Sequence, residues 1–418
     1  PIGVNHLGDW GTQFGKLIVA YKKWGNEKEL QKEPIKYLLK LYVLFHQEVE
    51  SNPQLDDEAR EEFKKLELGN KESMALWETF KELSLAEFKK IYKLLDVDFD
   101  SYSGEAFYIY NNLIEKTVQE LQKKVPTEMS EGALIVNLKQ YNLPPVILRK
   151  SNETTTYHTR DLSAAFYRLK HYNAEKLLYV VGSEQKMNFQ QLFKVLELAG
   201  VDKEKLVHID FGLFQFPEGK MSTRKGNVIF LEEVLDKAIS LVEKIIEEKN
   251  PNLKNKKEVA KEVGVGAIIF ADLSNDRIRN IEFDWDRMLS FEGDTGPYLQ
   301  YTHARACSIL RKAKSEYKMG ISPKVNFRQL NLAEELALVK LLYQFPEILI
   351  RVLQSYKPHH LADYLIRLAQ GFNLFYHSQP VISDEKELMK ARLLLVDCTR
   401  QVLKNGLNLL GIKAPEEM

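Results

Sequence analysis

The chain has 418 residues, of which 44% are hydrophobic and 28% are charged, a globular composition that predicts two to four domains. Lys plus Arg and Asp plus Glu both count 59, which excludes a net positive field, so any nucleic-acid contact must come from local basic patches. No apolar run approaches the roughly 20 residues of a membrane span and no signal peptide is recognisable, so we expect no membrane partner and a cytoplasmic location.

The chain begins with a strand end, a glycine-rich turn and a helix. Residues 2–5 are predicted to end a strand, residues 6–15 (HLGDWGTQFG) to form the turn, and a helix is predicted from about Thr12 to Trp24. Such a unit places ligands at the carboxyl edge of a parallel sheet, although a plain strand-to-helix connection is the alternative. Residues 33–95 then predict amphipathic helices whose charges are solvated.

The middle of the chain shows an α/β rhythm. An acidic turn at 97–105 precedes a helix at 111–124, and two strands are predicted at 133–138 and 145–149. Further strands at 177–181 and 207–211 alternate with helices. These repeated strand–helix units predict a doubly wound parallel sheet, with the ligand crevice formed by loops at the strand ends.

A basic loop follows the last of these strands. Residues 216–227 read FPEGKMSTRKGN, with Lys220, Arg224 and Lys225 beside two hydroxyls and two glycines. That combination suits a polyanion, because cations and hydroxyls donate to it and glycines let backbone N–H groups approach. A solvated basic turn is the alternative.

Four polar residues near these loops fit a cationic amino acid when taken together. Two carboxylates, a phenol and an amide are available, and a guanidinium suits planar bidentate acceptors better than an ammonium does. The residues are Glu105, Tyr157, Asp161 and Gln185. Each has an ordinary alternative: Asp161 caps a helix or pairs with Arg160, Glu105 is solvated, and Gln185 caps a helix.

The C-terminal part is predicted to be almost entirely helical. Helices at 232–250 and 256–271 and a short strand at 283–286 precede helices at 298–317, 332–353, 360–377 and 387–410. The last group predicts an all-α bundle of four or five helices. Cys307 and Cys398 lie in its apolar patterns, so we expect two buried thiols in a reducing compartment and no cysteine-rich zinc site.

Four segments resemble signatures of arginyl-tRNA synthetases in order and spacing. They are NHLGDWGTQFG at 5–15, YxTRD at 157–161, YVVGxEQ at 179–185 and KMSTR at 220–224, a form of the class I KMSKS loop. Residues 409–415 also resemble the C-terminus of such an enzyme. The resemblance implies a Rossmann-like, doubly wound α/β class I catalytic domain followed by an all-α bundle. It also implies ATP-dependent activation of L-arginine and transfer to tRNA(Arg).

The resemblance implies an arginine pocket. Glu105, Tyr157 and Asp161 would bind the substrate guanidinium, and Gln185 would hold the α-amino group. The floor of the pocket would be shaped by Asn5, Asp9 and Gln13.

The resemblance also implies an ATP site on the basic loop. Lys220 would stabilise the pyrophosphate, and Lys220, Ser222 and Arg224 would form the catalytic set. ATP would be bound by Gly182, Lys220, Met221, Ser222 and Lys225. Mg²⁺ would accompany ATP with no protein ligand assigned, and no other metal site is expected.

By the same resemblance, the bundle would bind the tRNA anticodon. We expect exposed aromatic and cationic candidates at Tyr298, Tyr301, His303 and Arg305, which suit unpaired bases, with core packing as the alternative for the tyrosines. The predicted domains are the first catalytic part (1–45), a connective insertion (46–150), the second catalytic part (151–231), linker helices (232–295) and the anticodon-binding bundle (296–418). A monomer is expected.

Three departures from the family pattern stand out. The HIGH motif belongs upstream of Asn5 and is not among these residues, nor is the family's N-terminal tRNA-binding domain, so we expect the chain as written to activate arginine poorly. Thr223 occupies the place of the second Lys of KMSKS. Asn188 occupies the place where EQxxHF would have a His.

Two other functions remain open at this point. Another class I synthetase, specific for lysine or cysteine, is one, although the carboxylate pair and the lack of a cysteine zinc set argue against the cysteine enzyme. A non-catalytic RNA-binding fragment is the other, favoured only by the missing HIGH segment.

Overall fold

A computed structural model describes residues 1–152, 154–215 and 228–418. The chain forms two compact units, the first made of Pro1–Phe211 and the second of Ile229–Met418 with residues 212–215. Across the described ranges, no helix combines the length and apolar character needed to cross a membrane.

The N-terminal half of the first unit is a helical cluster. Its helices are α1 (Thr12–Trp24), α2 (Glu27–Lys32), α3 (Pro34–Ser51), α4 (Gln54–Glu67) and α5 (Lys71–Leu95). Ile18, Phe45 and Trp77 are among the buried side chains of its core. Gly15 lets α1 approach α4, because an added Cβ there would lie 2.1 Å from the Ala59 carbonyl oxygen. The helix predicted at 12–24 and the helical region at 33–95 are confirmed.

Two short helices and a small sheet follow. They are α6 (Glu105–Tyr110), α7 (Leu113–Lys124), β1 (Glu128–Ser130), β2 (Ala133–Val136) and β3 (Val146–Arg149). The three strands are antiparallel in the order β1-β2-β3, with an irregular register between Leu134 and Ile135. The two strands predicted here are confirmed, while β1 lacks an apolar pattern and was not foreseen. All three of its residues are exposed.

The second half of the first unit contains the parallel strands. Its elements are α8 (Tyr157–His171), β4 (Leu177–Gly182), α9 (Lys186–Leu198) and β5 (Leu206–Phe211). β4 and β5 pair in parallel from Leu177 with Leu206 to Gly182 with Phe211, so their carboxyl ends share one edge. The apolar face of α9 packs against this pair through Leu192 and Val195. The predicted strand–helix–strand unit is therefore present.

The second unit starts with a two-stranded parallel ribbon and a helix pair. These elements are β6 (Phe214–Gln215), α10 (Leu231–Lys249), α11 (Lys256–Leu273), β7 (Ile281–Glu282) and α12 (Trp285–Met288). β6 pairs with β7. The strand predicted at 283–286 was wrong in position, because the observed strand ends at Glu282. Asp284 instead caps the short helix α12, since its carboxylate accepts a hydrogen bond from the N–H of Arg287.

The C-terminal bundle has four long helices in the described part of the chain. They are α13 (Gly296–Glu316), α14 (Ala333–Ser355), α15 (His359–Ser378) and α16 (Lys386–Leu409). Leu299, Phe372 and Leu403 are among the side chains of their common core. The predicted bundle is confirmed. Of its cysteines, Cys307 is buried as expected, but Cys398 is exposed, so the expectation of a second buried thiol was wrong.

A buried ion pair ties α14 to α16. Arg392 Nε lies 2.7 Å from Glu335 Oε1, and both side chains are at most 5% exposed. Glu335 also accepts from the N–H groups of Asn331 and Leu332, and Arg392 donates to the Pro380 carbonyl. Each charge thus has its partner and at least one further hydrogen bond, the condition under which a buried pair is tolerated.

We predict that Glu335→Ala destabilises the bundle by about 3–5 kcal/mol, because it leaves a buried guanidinium without its carboxylate and two helix-start N–H groups without an acceptor. Urea unfolding followed by circular dichroism measures this loss. Glu334→Ala, one position away and without an ion-pair partner in the described ranges, is the matched control and should change stability by about 0.5 kcal/mol or less. Equal effects of the two variants would contradict the prediction.

Candidate functional site

The glycine-rich turn is locked to α6 by Asp9. Asp9 Oδ1 accepts a hydrogen bond from the N–H of Ala106 at 2.9 Å, and Oδ2 lies 2.9 Å from Lys81 Nζ. The Asp9 carbonyl accepts from Trp77 Nε1 at 2.7 Å. Gly104 makes this approach possible, since an added Cβ there would lie 2.5 Å from Asp9 Oδ1. The buried Asp9 therefore positions the first turn of α6, which begins at Glu105.

Glu105 is paired with a guanidinium of the protein itself. Its carboxylate Oε2 lies 3.0 Å from Arg160 Nε, and both side chains are largely buried. Burial raises the pKa of Glu105, and the nearby carboxylates of Asp161 and Asp9 raise it further, while Arg160 and His6 oppose the shift. Glu105 thus lies among charges of both signs. The alternative in which Glu105 is solvated was wrong, because its side chain is only 14% exposed.

Asp161 lies in the same cluster, facing His6. His6 Nε2 is 3.6 Å from Asp161 Oδ1, and His6 Nδ1 is 3.2 Å from the Ser103 carbonyl oxygen. Asp161 is partly exposed, with 21% of its side chain accessible. The alternative in which Asp161 pairs with Arg160 was wrong, because successive residues of α8 point about 100° apart and Arg160 turns to Glu105.

A second guanidinium lies two turns further along α8. Arg168 is buried, and its charge acts on the phenols of Tyr108 and Tyr179. Burial raises the pKa of both tyrosines, with the Arg168 charge opposing the shift and Asp161 adding to it at Tyr179. Burial therefore favours the neutral form of both phenols.

Other expected pocket residues occupy more peripheral places. Asn5 Nδ2 donates to the Tyr92 hydroxyl at 2.7 Å, and the exposed Gln13 donates weakly to the Trp10 carbonyl at 3.4 Å. Tyr157 is half exposed and stacks on His158. Within the described ranges, neither Tyr157 nor the exposed Gln185 forms a hydrogen bond with the carboxylate cluster.

Among the described residues, little covers the carboxyl edge of the parallel strands at Gly182. Gly182 ends β4, and a Cβ added there would meet its nearest atom, Phe211 Cε2, only at 4.0 Å. A short 3₁₀ turn, Ser183–Gln185, follows directly and leads into α9. The residues expected on the basic loop, Lys220, Met221, Ser222, Arg224 and Lys225, lie outside the described residues, as does Thr223.

Three residues of the cluster were not among the site residues expected from the sequence, although Arg160 was named as a possible partner of Asp161. His6, Arg160 and Lys81 each contact one of the carboxylates that were expected to form the pocket. His6 and Arg160 stand inside the motifs, so a charge count of each motif would have indicated them. Lys81 lies on α5, 72 positions from Asp9, and no local signal indicates it.

A cleft in the second unit contains three of the expected tRNA-binding residues. Its volume is about 1070 Å³, and Tyr298, Tyr301 and Arg305 line it. Arg305 lies over the rings of Tyr301 and Tyr376, 4.9 and 5.4 Å from their centroids. Asn373 receives a hydrogen bond from Arg305 at 2.6 Å and donates to the Tyr298 hydroxyl at 2.9 Å. These contacts hold the guanidinium and rings in fixed positions.

Only Tyr301 of the four residues expected to be exposed is so: Tyr298 and Arg305 are partly buried, and Tyr298 packs against the bundle core, as its alternative stated. The fourth residue, His303, lies away from the cleft. It is fully buried, its Nδ1 lies 2.9 Å from the Pro415 carbonyl oxygen, and burial lowers its pKa. The expectation of an exposed His303 was wrong, because residues 301 and 305 share one face of α13 while residue 303 points to the opposite face, where the C-terminal segment packs. Its observed contact anchors the tail.

Comparison with known families defines the class first. Residues 2–285 match the family described as tRNA synthetases class I (R), catalytic domain, and residues 299–418 match the DALR anticodon binding domain. The fold is therefore that of a class I aminoacyl-tRNA synthetase. Within that class, the chain belongs to the arginyl-tRNA synthetase family.

Individual relatives agree with this membership. An arginine–tRNA ligase of Clostridium perfringens is 53% identical over 420 residues, which covers 100% of this chain and 74% of that protein. One from Alkaliphilus metalliredigens is 49% identical, covering 100% and 73%. The solved Thermus thermophilus arginyl-tRNA synthetase is 28% identical with a TM-score of 0.85, covering 100% of this chain and 76% of that one.

We predict that Gly104→Ala destabilises the first unit by about 1–3 kcal/mol, because its Cβ meets the Asp9 carboxylate and forces the turn away from α6. Gly8→Ala is the matched control, since a Cβ at Gly8 meets no atom within 4 Å. Thermal and urea unfolding of the two variants measure the difference. A Gly104→Ala protein as stable as Gly8→Ala would show that the Asp9 contact does not hold the turn.

Proposed function

We propose that this chain is the catalytic and anticodon-binding part of an arginine–tRNA ligase. An oxygen of the arginine carboxylate attacks the α-phosphorus of ATP in line; the new P–O bond forms as the bond to pyrophosphate breaks, giving arginyl-adenylate. A hydroxyl of the terminal tRNA ribose then takes the arginyl group and releases AMP. Such chemistry depends mainly on positioning and on stabilising charge.

The observation that carries the proposal is the charge balance around Glu105. Asp9 has its own partner in Lys81 and Glu105 is paired with Arg160, whereas the accessible carboxylate of Asp161 faces only His6, at 3.6 Å, among the ion pairs of the described ranges. Asp161 is therefore a carboxylate without a guanidinium partner in a partly buried place. One added guanidinium would neutralise it with bidentate geometry, whereas a neutral side chain would leave it uncompensated.

We assign the arginine-binding roles on that basis. Asp161 is the main acceptor of hydrogen bonds from the substrate guanidinium, because it is more accessible than Glu105. Glu105 and the Tyr157 phenol complete the guanidinium site. Gln185 holds the α-amino group. Asn5, Asp9 and Gln13 belong to the floor of the pocket, where Asp9 acts through its hold on α6.

We place ATP at the open carboxyl edge of β4 and β5, in contact with Gly182. Lys220, Met221, Ser222 and Lys225 would complete the ATP site, with Lys220, Ser222 and Arg224 catalytic and Lys220 on the pyrophosphate. Mg²⁺ would arrive with ATP, and no protein ligand is assigned to it.

We assign tRNA(Arg) recognition to the cleft of the second unit, through Tyr298, Tyr301 and Arg305. Its fixed guanidinium and aromatic faces support this, because unpaired bases stack on such surfaces and phosphates pair with Arg.

We keep the five-domain division proposed from the sequence. One chain carries every residue assigned here, so the catalytic unit is a single copy, acting in the cytoplasm.

We predict that Asp161→Asn raises the KM for arginine about 100-fold or more, because the amide keeps the shape but removes the charge that the guanidinium needs. Arginine-dependent pyrophosphate exchange, run with the intact protein and with cognate tRNA present, measures KM and kcat. Asp57→Asn, an exposed Asp of the same unit, should leave both constants unchanged. A near-normal KM for arginine in Asp161→Asn would contradict the assignment.

We predict that Tyr301→Ala weakens tRNA binding by about 1–3 kcal/mol at any salt concentration, as expected for a lost stacking surface. Arg305→Ala should instead reduce the slope of log K against log salt by about 0.7–0.9 if Arg305 contacts a phosphate. Filter binding across a salt series separates the two effects. Tyr317→Ala, half exposed just beyond α13, is the control and should bind tRNA normally.

A further inference from the structure

Two histidines and an aspartate converge at the start of α15. One ligand atom from each of His359, His360 and Asp363 lies within 4.8 Å of the other two. Across the described residues, no other group of three or more histidine, cysteine or acidic side chains converges as closely. Both histidines are partly buried and the aspartate is exposed. The group therefore has the donor atoms and the spacing of a site for a small cation.

The geometry of the helix brings these side chains together. Asp363 follows His359 by four residues and His360 by three, and residues at those spacings are neighbours on a helix surface. The two imidazole rings are adjacent, with centroids 4.2 Å apart. The ligand atoms of a tetrahedral ion with bonds of about 2.0–2.2 Å are roughly 3.3–3.6 Å apart. Binding thus requires only a modest approach of the three side chains.

One ring nitrogen of the group lacks a hydrogen-bond partner. His359 Nδ1 is buried, and the part of the chain that the structure describes offers it no donor or acceptor. Within the same ranges, Asp363 has no ion-pair partner. A buried polar atom without a partner destabilises the fold, and a bond to a metal ion would supply the missing contact.

The charges around the group tolerate a cation. Lys357 is paired with Asp276 at 2.7 Å, so its charge is already balanced. Arg351 also acts on His360, but its side chain is exposed to solvent. The start of a helix disfavours a cation, by about two- to fivefold in affinity. Direct bonds to two imidazoles and a carboxylate outweigh that effect.

We propose that His359, His360 and Asp363 bind a zinc ion, with water at the fourth position. Two imidazole nitrogens favour zinc over magnesium and calcium, which prefer oxygen ligands. Three protein ligands, rather than the four of a closed structural site, leave the ion exchangeable. We therefore expect a Kd on the order of 1–10 µM. From the sequence we expected no such metal site, and the proposal departs from that expectation.

The ion would fasten the connection between α14 and α15. Tyr356 has a left-handed backbone there, with φ of 53°, and its carbonyl accepts a hydrogen bond from Arg277 Nε at 3.1 Å. Pro358 precedes α15 and provides no side-chain cap. All three proposed ligands belong to the first five residues of the helix, so the ion would hold its first turn together. Zinc should therefore stabilise the folded protein by binding to it alone.

Calorimetric titration of the untagged, chelator-treated protein with zinc chloride tests the proposal. The wild type should bind one ion at this site, and zinc at ten times the Kd should raise the thermal unfolding midpoint by about 3–6 °C. His360→Ala and Asp363→Ala should each raise the Kd about tenfold or more and lose the thermal shift. His171→Ala removes an exposed histidine of the first unit and is the matched control, with wild-type zinc binding expected.

Asp363→Cys gives a test that does not depend on loss of binding. A thiolate at this position keeps three ligands and is a softer donor, so zinc should bind at least as tightly as in the wild type. With Co²⁺ as the probe, the Asp363→Cys protein should gain a thiolate-to-metal charge-transfer band that the wild type lacks. A wild type that takes up no zinc at about 100 µM overturns the proposal. So does zinc binding that His360→Ala and Asp363→Ala leave unchanged, or a Co²⁺ spectrum without the new band.

Discussion

The contact between the Glu105 carboxylate and the Arg160 guanidinium is the interaction on which the first unit's site depends. A carboxylate buried this far would take up a proton or destabilise the fold without a cation beside it, and the raised pKa of Glu105 records that cost. The pair joins the start of α6 to the start of α8. It therefore sets where Asp161, the next residue along α8, stands relative to the glycine-rich turn.

That arrangement would allow the proposed arginine pocket to accept a guanidinium although the protein has guanidiniums of its own nearby. Arg160 pairs with Glu105 and so reduces the repulsion between the carboxylates of Glu105 and Asp161. The carboxylate of Asp161, which is more accessible, stays available to a ligand. His6 faces Asp161 from the glycine-rich turn. Lys81 and the first turn of α6 already engage both oxygens of Asp9, whose charge acts on the cluster by raising the pKa of Glu105.

In the second unit, charged side chains are held by specific partners both in the bundle core and in the cleft. Inside the bundle, the Glu335–Arg392 pair tolerates burial because the carboxylate accepts two further backbone N–H groups and the guanidinium donates to a backbone carbonyl. In the cleft, Arg305 is held by Asn373 and by two rings, so its position does not have to be organised on binding.

The sequence by itself determined the periodic elements and the identity of the motif residues. Helices such as α1 and the long bundle helices follow from spacing, because an amphipathic repeat needs only its own neighbours, and the parallel strands β4 and β5 follow from their β-branched runs. The family could be recognised because four motifs recur in order. Tertiary structure alone decided which charges meet: Arg160 reaches Glu105 rather than Asp161, Lys81 reaches Asp9 across 72 positions, and His303 turns inward to the tail. Those outcomes depend on helix phase and on packing between distant segments, and neither quantity is contained in any local stretch of the chain.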